Sequence, residues 1–126
     1  MKRTVIAISL VAAITAAYFG LKQYRSHADC KQRQARLARQ IESIRHDAQE
    51  QLKVGTKKLD VISFFEGHNI PLAMRGSEAS GTLLTFGCAP FGCGTDDALI
   101  GVRVELDELG TVKQEPKVVN LYTDCL

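Results

Sequence analysis

Residues 99–107, LIGVRVELD, decide the fold class, because apolar residues recur there at every second position. The apolar set is Ile100, Val102, Val104 and Leu106, and the positions between hold Gly101, Arg103, Glu105 and Asp107. Successive side chains of a β-strand point to opposite faces of its sheet. The pattern therefore predicts a strand with one buried face and one face in water.

Turn signals and apolar runs on both sides of this stretch predict the rest of the sheet. Residues 107–110, DELG, predict a tight hairpin turn, so residues 111–123 return as a last strand that bends at Pro116. Residues 80–86 predict another strand upstream. Residues 70–74 predict a short edge segment, because Pro71 cannot donate a hydrogen bond to a central ladder.

Two helices are expected before the sheet. Residues 31–52 contain no glycine or proline, and their apolar residues have helical spacing: Leu37, Ile41, Ile44, Ala48 and Leu52. Gly55 ends this helix, and Thr56 is expected to cap a second helix over residues 57–66. The second helix has a broad apolar face that requires burial: Leu59, Val61, Ile62, Phe64 and Phe65. The fold class is α+β, with two helices packed on a three- or four-stranded antiparallel sheet.

The entry to the second helix, residues 54–61 (VGTKKLDV), carries a resemblance to a known family. A glycine, a capping Ser/Thr and an acid followed by valine resemble the pattern of the SmpA/OmlA type of outer-membrane assembly lipoproteins. The order of elements is similar over about 70 residues, and the resemblance implies two helices on a three-stranded antiparallel sheet. The chain departs from the family in lacking a lipobox, in its longer first helix and in its cysteines, so no functional residue is transferred.

Residues 5–21 form an uncharged apolar run behind Lys2 and Arg3, which is typical of a membrane anchor or an export signal. A helix of 17 residues extends about 25 Å, at the low end for a hydrocarbon core of about 30 Å. We expect an uncleaved anchor in contact with the lipid bilayer through residues 5–21. Cleavage after Ala17 or Ala28 is the alternative, and it would release a secreted or periplasmic domain.

Charge and cysteine content favour different orientations of the domain. Twelve basic and four acidic residues precede position 59, and four basic and ten acidic residues follow. The basic residues just after the apolar run would keep the domain in the cytoplasm. The even set of four cysteines suits an oxidising compartment instead. We expect a single-pass protein of the inner (cytoplasmic) membrane with its domain outside the cytoplasm, and the cytoplasmic orientation stays open.

The chain is predicted to have three parts. Residues 1–25 are the anchor or signal segment, residues 26–53 a juxtamembrane amphipathic helix, and residues 54–126 a small α+β domain that continues from that helix.

The residues best suited to disulfide, redox or metal chemistry are the four cysteines, Cys30, Cys88, Cys93 and Cys125. The tripeptide Phe-Gly-Cys occurs twice around Ala89 and Pro90, and a four-residue turn there would bring Cys88 opposite Cys93. We therefore favour a disulfide between Cys88 and Cys93 and another between Cys30 and Cys125. Sequence alone does not choose among the three possible pairings.

Other reactive side chains form no recognisable constellation. His27, His46 and His68 have no metal-ligand spacing, and the acidic pairs at 96–97 and 107–108 fit turn chemistry. No catalytic, cofactor-binding or metal-binding residue is predicted, and neither an enzyme, a nucleic-acid partner nor a small-molecule substrate is expected.

The predicted function is that of a non-enzymatic interaction or accessory module of the cell envelope, whose partner is an unidentified envelope protein. A sheet edge is the expected docking surface. The alternative is a thiol-disulfide or metal-handling protein that uses Cys88 and Cys93.

Overall fold

The computed structural model describes residues 2–125, and residues 2–12 of these by backbone only. The chain divides after Gln32 into two compact units, residues 1–32 and residues 33–126. The first helix, α1, covers Lys2–Gln51. It includes all but the last residue of the predicted helix over 31–52 and begins much earlier, since no proline interrupts residues 2–51.

The first unit consists of the early part of α1. Side chains from position 13 to position 29 are exposed, including the apolar Ile14, Phe19 and Leu21. The first eight side chains of the predicted membrane segment, residues 5–21, lie outside the described residues. Among the described residues, no helix combines the length and apolar character needed to cross a bilayer.

The second unit has the predicted α+β architecture, with two helices on one face of a four-stranded antiparallel sheet. The second helix, α2, covers Lys58–Gly67. The strands are β1 (Leu72–Arg75), β2 (Glu78–Phe86), β3 (Asp97–Glu105) and β4 (Lys117–Tyr122), and they neighbour one another in chain order.

The core lies between the helices and the inner face of the sheet. The whole predicted stripe of α1, from Leu37 to Leu52, is buried, and so are Ile100, Val102 and Val104 of β3. On α2, burial falls on Val61, Phe64 and Phe65, at spacings of three and four that define one helix face. Leu59 is 74% exposed, so its predicted place in the core is wrong.

Short contacts show which strands each helix covers. Along α1, Gln34 bonds the Tyr122 hydroxyl of β4, and the Gln49 amide donates to Glu115 over 2.8 Å. The α2 side approaches β2 at Gly81, where an added Cβ would lie 3.0 Å from Phe65. The α1 helix also contacts β2, because the Thr85 hydroxyl donates to Gln40 over 3.1 Å. It therefore packs against both β4 and β2, and α2 packs against β2 near Gly81.

Two local predictions are corrected. Thr56 does not cap α2: its hydroxyl donates to the Gln51 carbonyl at the end of α1 over 3.3 Å, and the N-cap of α2 is Lys57, without a side-chain bond. Backbone pairing replaces the cap, because the Lys58 N–H donates to the Gly110 carbonyl over 2.9 Å. The last strand begins at Lys117, later than predicted. Val112, ahead of it, forms an isolated bridge to Leu106, and its backbone bonds Gly55 and Thr56.

Candidate interaction surface

The four cysteines are paired differently from the sequence-based prediction. Cys93 is joined to Cys125, and the two residues also form an isolated antiparallel bridge. The predicted pairings of Cys88 with Cys93 and of Cys30 with Cys125 are therefore wrong. Cys30 and Cys88 are disulfide-bonded as well, and no cysteine among the described residues is free.

The correction has a physical reason in the loop between β2 and β3, residues 87–96. The chain turns at Pro90, whose carbonyl accepts from the Cys93 N–H over 3.2 Å. Beyond it, the Gly94 N–H donates to the Asp124 carbonyl over 2.9 Å, which sets Cys93 beside the end of the chain. At the other end of the loop, the Cys88 N–H donates to Gln34 of α1 over 3.2 Å. Both ends of the loop are thus bonded to neighbouring segments. The Gly87 N–H also donates to the Asp96 carbonyl across the neck over 2.9 Å, but this bond does not place Cys88 opposite Cys93.

Asp96 holds this loop by a contact that the sequence did not reveal. Its carboxylate accepts from the Ala89 N–H over 3.0 Å and pairs with Arg33 of α1 at 2.9 Å. These bonds are not local turn contacts, because Ala89 is seven residues away from Asp96 and Arg33 is 63 residues away. Arg33 precedes the apolar stripe that begins at Leu37, so helical spacing gave no sign of this contact. At the tip of the loop, Phe91 is fully exposed.

The histidines are spread over both units. The carboxylate of Asp47 contacts two imidazole rings. Its Oδ1 lies 3.6 Å from His46 Nδ1, and its Oδ2 lies 3.5 Å from His68 Nε2. His27 is exposed on the first unit. Among the described residues, no group of three or more His, Cys, Asp or Glu side chains is arranged to hold a metal ion.

The face of the sheet that points away from the helices carries exposed apolar side chains. Leu84 of β2 is opposite Leu99 of β3, and Leu99 is opposite Leu121 of β4. Phe86 follows two residues after Leu84 on the same face. Leu84, Phe86 and Leu121 are 60%, 62% and 64% exposed. We call Leu84, Phe86, Leu99 and Leu121 the outer apolar strip.

A groove of about 520 Å³ crosses the same face beside the strip. Its floor lies at Gly101, which has no side chain and stands between Thr82 of β2 and Val119 of β4. Leu121 of the strip lines the groove too. Because Gly101 has no side chain, a gap is left on the outer face between the side chains of Thr82 and Val119, and this gap forms the groove.

The other end of the outer face is charged. Arg103 is directly opposite Lys117, an arrangement that is unfavourable for like charges on paired strands. Arg103 also forms an ion pair with Glu78 at 3.3 Å, which offsets part of this repulsion. The outer face therefore changes from apolar at the loop end to charged at the hairpin end.

No protein-family model, curated protein or solved structure matches this chain. The resemblance to SmpA/OmlA lipoproteins stays a prediction.

The outer apolar strip could have been inferred from pairs of adjacent apolar residues in the strands, which do not fit simple alternation. Adjacent apolar residues occur in three strands, at 83–84, 98–100 and 118–119. In a strand, such runs place one apolar residue on each face. Because the helices cover only one face of the sheet, the other member of each run must lie outside.

Proposed function

We propose that this chain is a membrane-anchored, non-enzymatic interaction module of the cell envelope, and that it docks a partner protein on the outer face of its sheet. The outer apolar strip is the observation that carries the proposal. Its four residues are contiguous by strand register, and three of them are more than half exposed. Contiguous exposed apolar surface on a small domain is characteristic of protein interfaces.

The surroundings of the strip suit a folded protein with an apolar patch of its own. Protein interfaces combine an apolar centre with a polar, solvent-accessible rim. Here the Arg103 and Glu78 ion pair and Lys117 supply charged groups at one end of the face. At the other end, Phe91 extends from a loop that Asp96 and two disulfide-bonded cysteines hold in place.

Membrane attachment through residues 5–21 is supported by composition and by exposure. The run has no charged residue, and its described part leaves Ile14, Tyr18, Phe19 and Leu21 exposed in water. Burial of such side chains in lipid is favourable, and Tyr18 suits the headgroup region. The proposed location outside the cytoplasm is supported by the disulfides, which persist in oxidising compartments.

Anchoring and compartment are tested together by the intact mass of protein extracted from its native membrane, with thiols alkylated before reduction. We expect the full-length mass without alkyl groups. Four alkyl groups would overturn the extracytoplasmic location. A loss of about 17 or 28 N-terminal residues would overturn the anchor, because those are the two predicted cleavage positions.

Docking is tested by paired serine substitutions in the full-length protein. Leu84→Ser with Phe86→Ser removes apolar surface from the outer face, and Leu59→Ser removes a similarly exposed leucine from α2. After chemical crosslinking in intact membranes, we expect the crosslinked complex to be lost from the first variant and kept in the second. A complex that persists in both variants, or that only Leu59→Ser removes, would refute docking on the outer face.

A further inference from the structure

The edge strand β4 has backbone groups that are available for pairing. The Thr123 N–H donates to the Asp97 carbonyl over 3.0 Å, so residues of odd number direct their backbone groups toward β3. Directions alternate along a strand. Val118, Asn120 and Tyr122 therefore direct their N–H and C=O groups away from the sheet, and no backbone hydrogen bond outside the sheet involves them within the described chain.

The two edges of the sheet differ in how they are protected. Proteins guard edge strands by shortness, proline, bulges or charge. The β1 strand has four residues, directly follows Pro71 and ends in Arg75. The β4 strand has six residues and no proline, and its single charge, Lys117, lies at its first position. Only β4 thus presents an open, largely uncharged edge.

We infer that β4 pairs with β4 of a second copy of this chain, in antiparallel orientation, with Asn120 opposite Asn120. Hydrogen bonding requires the outward-directed residues of the two strands to lie opposite one another, so the two-fold axis passes through a residue of β4. Only the axis at Asn120 pairs the whole strand, because it also sets Val118 against Tyr122 in both directions. The two sheets would then continue as one sheet of eight strands.

In this register, the side chains of β4 in one copy lie opposite side chains of complementary character in β4 of the other copy. On the outer face, Val119 meets Leu121 of the second copy, and these side chains are 52% and 64% exposed in the single chain. Lys117 meets Thr123 of the second copy, beside the exposed Asp124. A basic group at the start of the strand and an acidic group just after its end attract each other only when the strands are antiparallel. This charge complementarity selects a second copy over a strand of unrelated sequence.

The inference goes beyond the proposed function, because docking of another protein uses the outer face and self-pairing uses the β4 edge. The two are separable by substitution. Asn120 is exposed and directs its backbone outward, so changes there leave the pairing with β3 intact.

The test is the mass of the full-length protein in detergent, by sedimentation equilibrium over a range of concentrations. We expect a dimer whose dissociation constant rises at least about tenfold in Asn120→Lys, since two like charges then face each other across the axis. Lys117→Glu, which reverses the terminal charge, should weaken the dimer too. Leu59→Lys is the control, an exposed site on α2 that should leave the dimer unchanged.

Amide hydrogen exchange locates the contact. We expect the amides of Val118, Asn120 and Tyr122 to become protected as the concentration of the chain alone increases. A monomer at all concentrations up to about 100 μM, or a dimer that both β4 variants leave unchanged, would overturn the inference. So would β4 amides that gain protection only when another envelope protein is added.

Discussion

At the scale of single residues, the end of the chain is fixed by the disulfide between Cys93 and Cys125, which are separated by 32 positions. The Gly94 N–H adds a backbone bond to Asp124 next to it. A crosslink that closes a loop of this length restricts the unfolded chain, and in the chain-entropy model it contributes roughly 3–4 kcal/mol to the free energy of unfolding.

Removing that crosslink gives the first prediction. Cys93→Ser with Cys125→Ser should lower the free energy of unfolding by roughly 3–4 kcal/mol, as measured by urea denaturation without reductant. Both cysteines are replaced so that no thiol remains to exchange with the other disulfide-bonded cysteines. Thr123→Ser is a neighbouring control and should unfold like the unchanged protein. Equal stability of the double variant would show that this crosslink does not constrain the chain.

Asp107 organises the hairpin turn between β3 and the bridge at Val112. Its carboxylate accepts from the Thr111 hydroxyl over 2.5 Å and from the N–H groups of Thr111 and Leu109 over 2.8 and 3.0 Å. These bonds, with those of Thr111 first, lower the pKa of the Asp107 carboxyl below its ordinary value of 3.8.

The second prediction is a pH dependence. A pKa that is lowered on folding stabilises the fold above the unfolded pKa, and this contribution is lost as the pH falls through the folded pKa. Asp107→Asn should therefore lower Tm at pH 7, and its difference from the unchanged protein should shrink below pH 3.8. Glu108→Gln removes the same charge one residue away and should not show this convergence. Parallel Tm curves for Asp107→Asn and the unchanged protein from pH 7 to strongly acid pH would contradict this role.

Residue-level contacts were the least predictable part of the molecule. Cys93 meets Cys125, and Arg33 meets Asp96, only because the sheet and α1 bring distant segments together. Local spacing favoured Cys88 as the partner of Cys93, since a tight turn would have sufficed. The turn at Asp107 was predictable, because its bonds span only four residues.

At the scale of elements, the packing of α1 follows from its sequence. The stripe that begins at Leu37 has helical period and is buried throughout the second unit. On α2, the apolar residues cover more than one face, so periodicity did not decide which of them would face the sheet. Leu59 is the residue left outside, at the first turn of the helix.

The third prediction compares these two leucines. Leu37→Ala should lower the free energy of unfolding by roughly 2–5 kcal/mol, because a buried side chain leaves a cavity. Leu59→Ala, at an exposed position, should change it by less than about 0.5 kcal/mol. Chemical denaturation of both variants provides the comparison. Similar effects of the two substitutions would contradict the assigned packing.

The fourth prediction compares two glycines on opposite faces of the sheet. At Gly81, an added Cβ would collide with the Pro71 carbonyl and lie 2.7 Å from Ile70. Gly81→Ala should therefore cost roughly 1–3 kcal/mol in the free energy of unfolding. At Gly101, the nearest atom is a Val119 methyl at 3.3 Å, a tight contact that the exposed Val119 side chain can relieve by a small shift. Gly101→Ala should therefore change stability by less than about 0.5 kcal/mol while narrowing the groove. Thermal unfolding distinguishes them, and an equal loss in both would contradict the assigned faces.

At the scale of the whole molecule, one face of the sheet forms the core and the other carries the proposed function. The fold class was predictable, because alternation in β3 and the stripe of α1 each specify one buried face. The outer apolar strip was not predicted, since alternation assigned the outer face to water. Its members become contiguous only through the pairing of β2, β3 and β4.

Docking on the outer face is the central claim, and a photo-crosslinking scan in native membranes tests it most directly. A photoreactive amino acid replaces Leu84, Phe86 or Leu121 on the outer face. Leu59 and Leu109, which are even more exposed and lie elsewhere, are the apolar controls. The account predicts one envelope-protein partner, captured from all three outer positions and from neither control, whereas a second copy paired through β4 would be captured from Leu121 alone. Capture from the controls alone, or from none of the five positions, would contradict it.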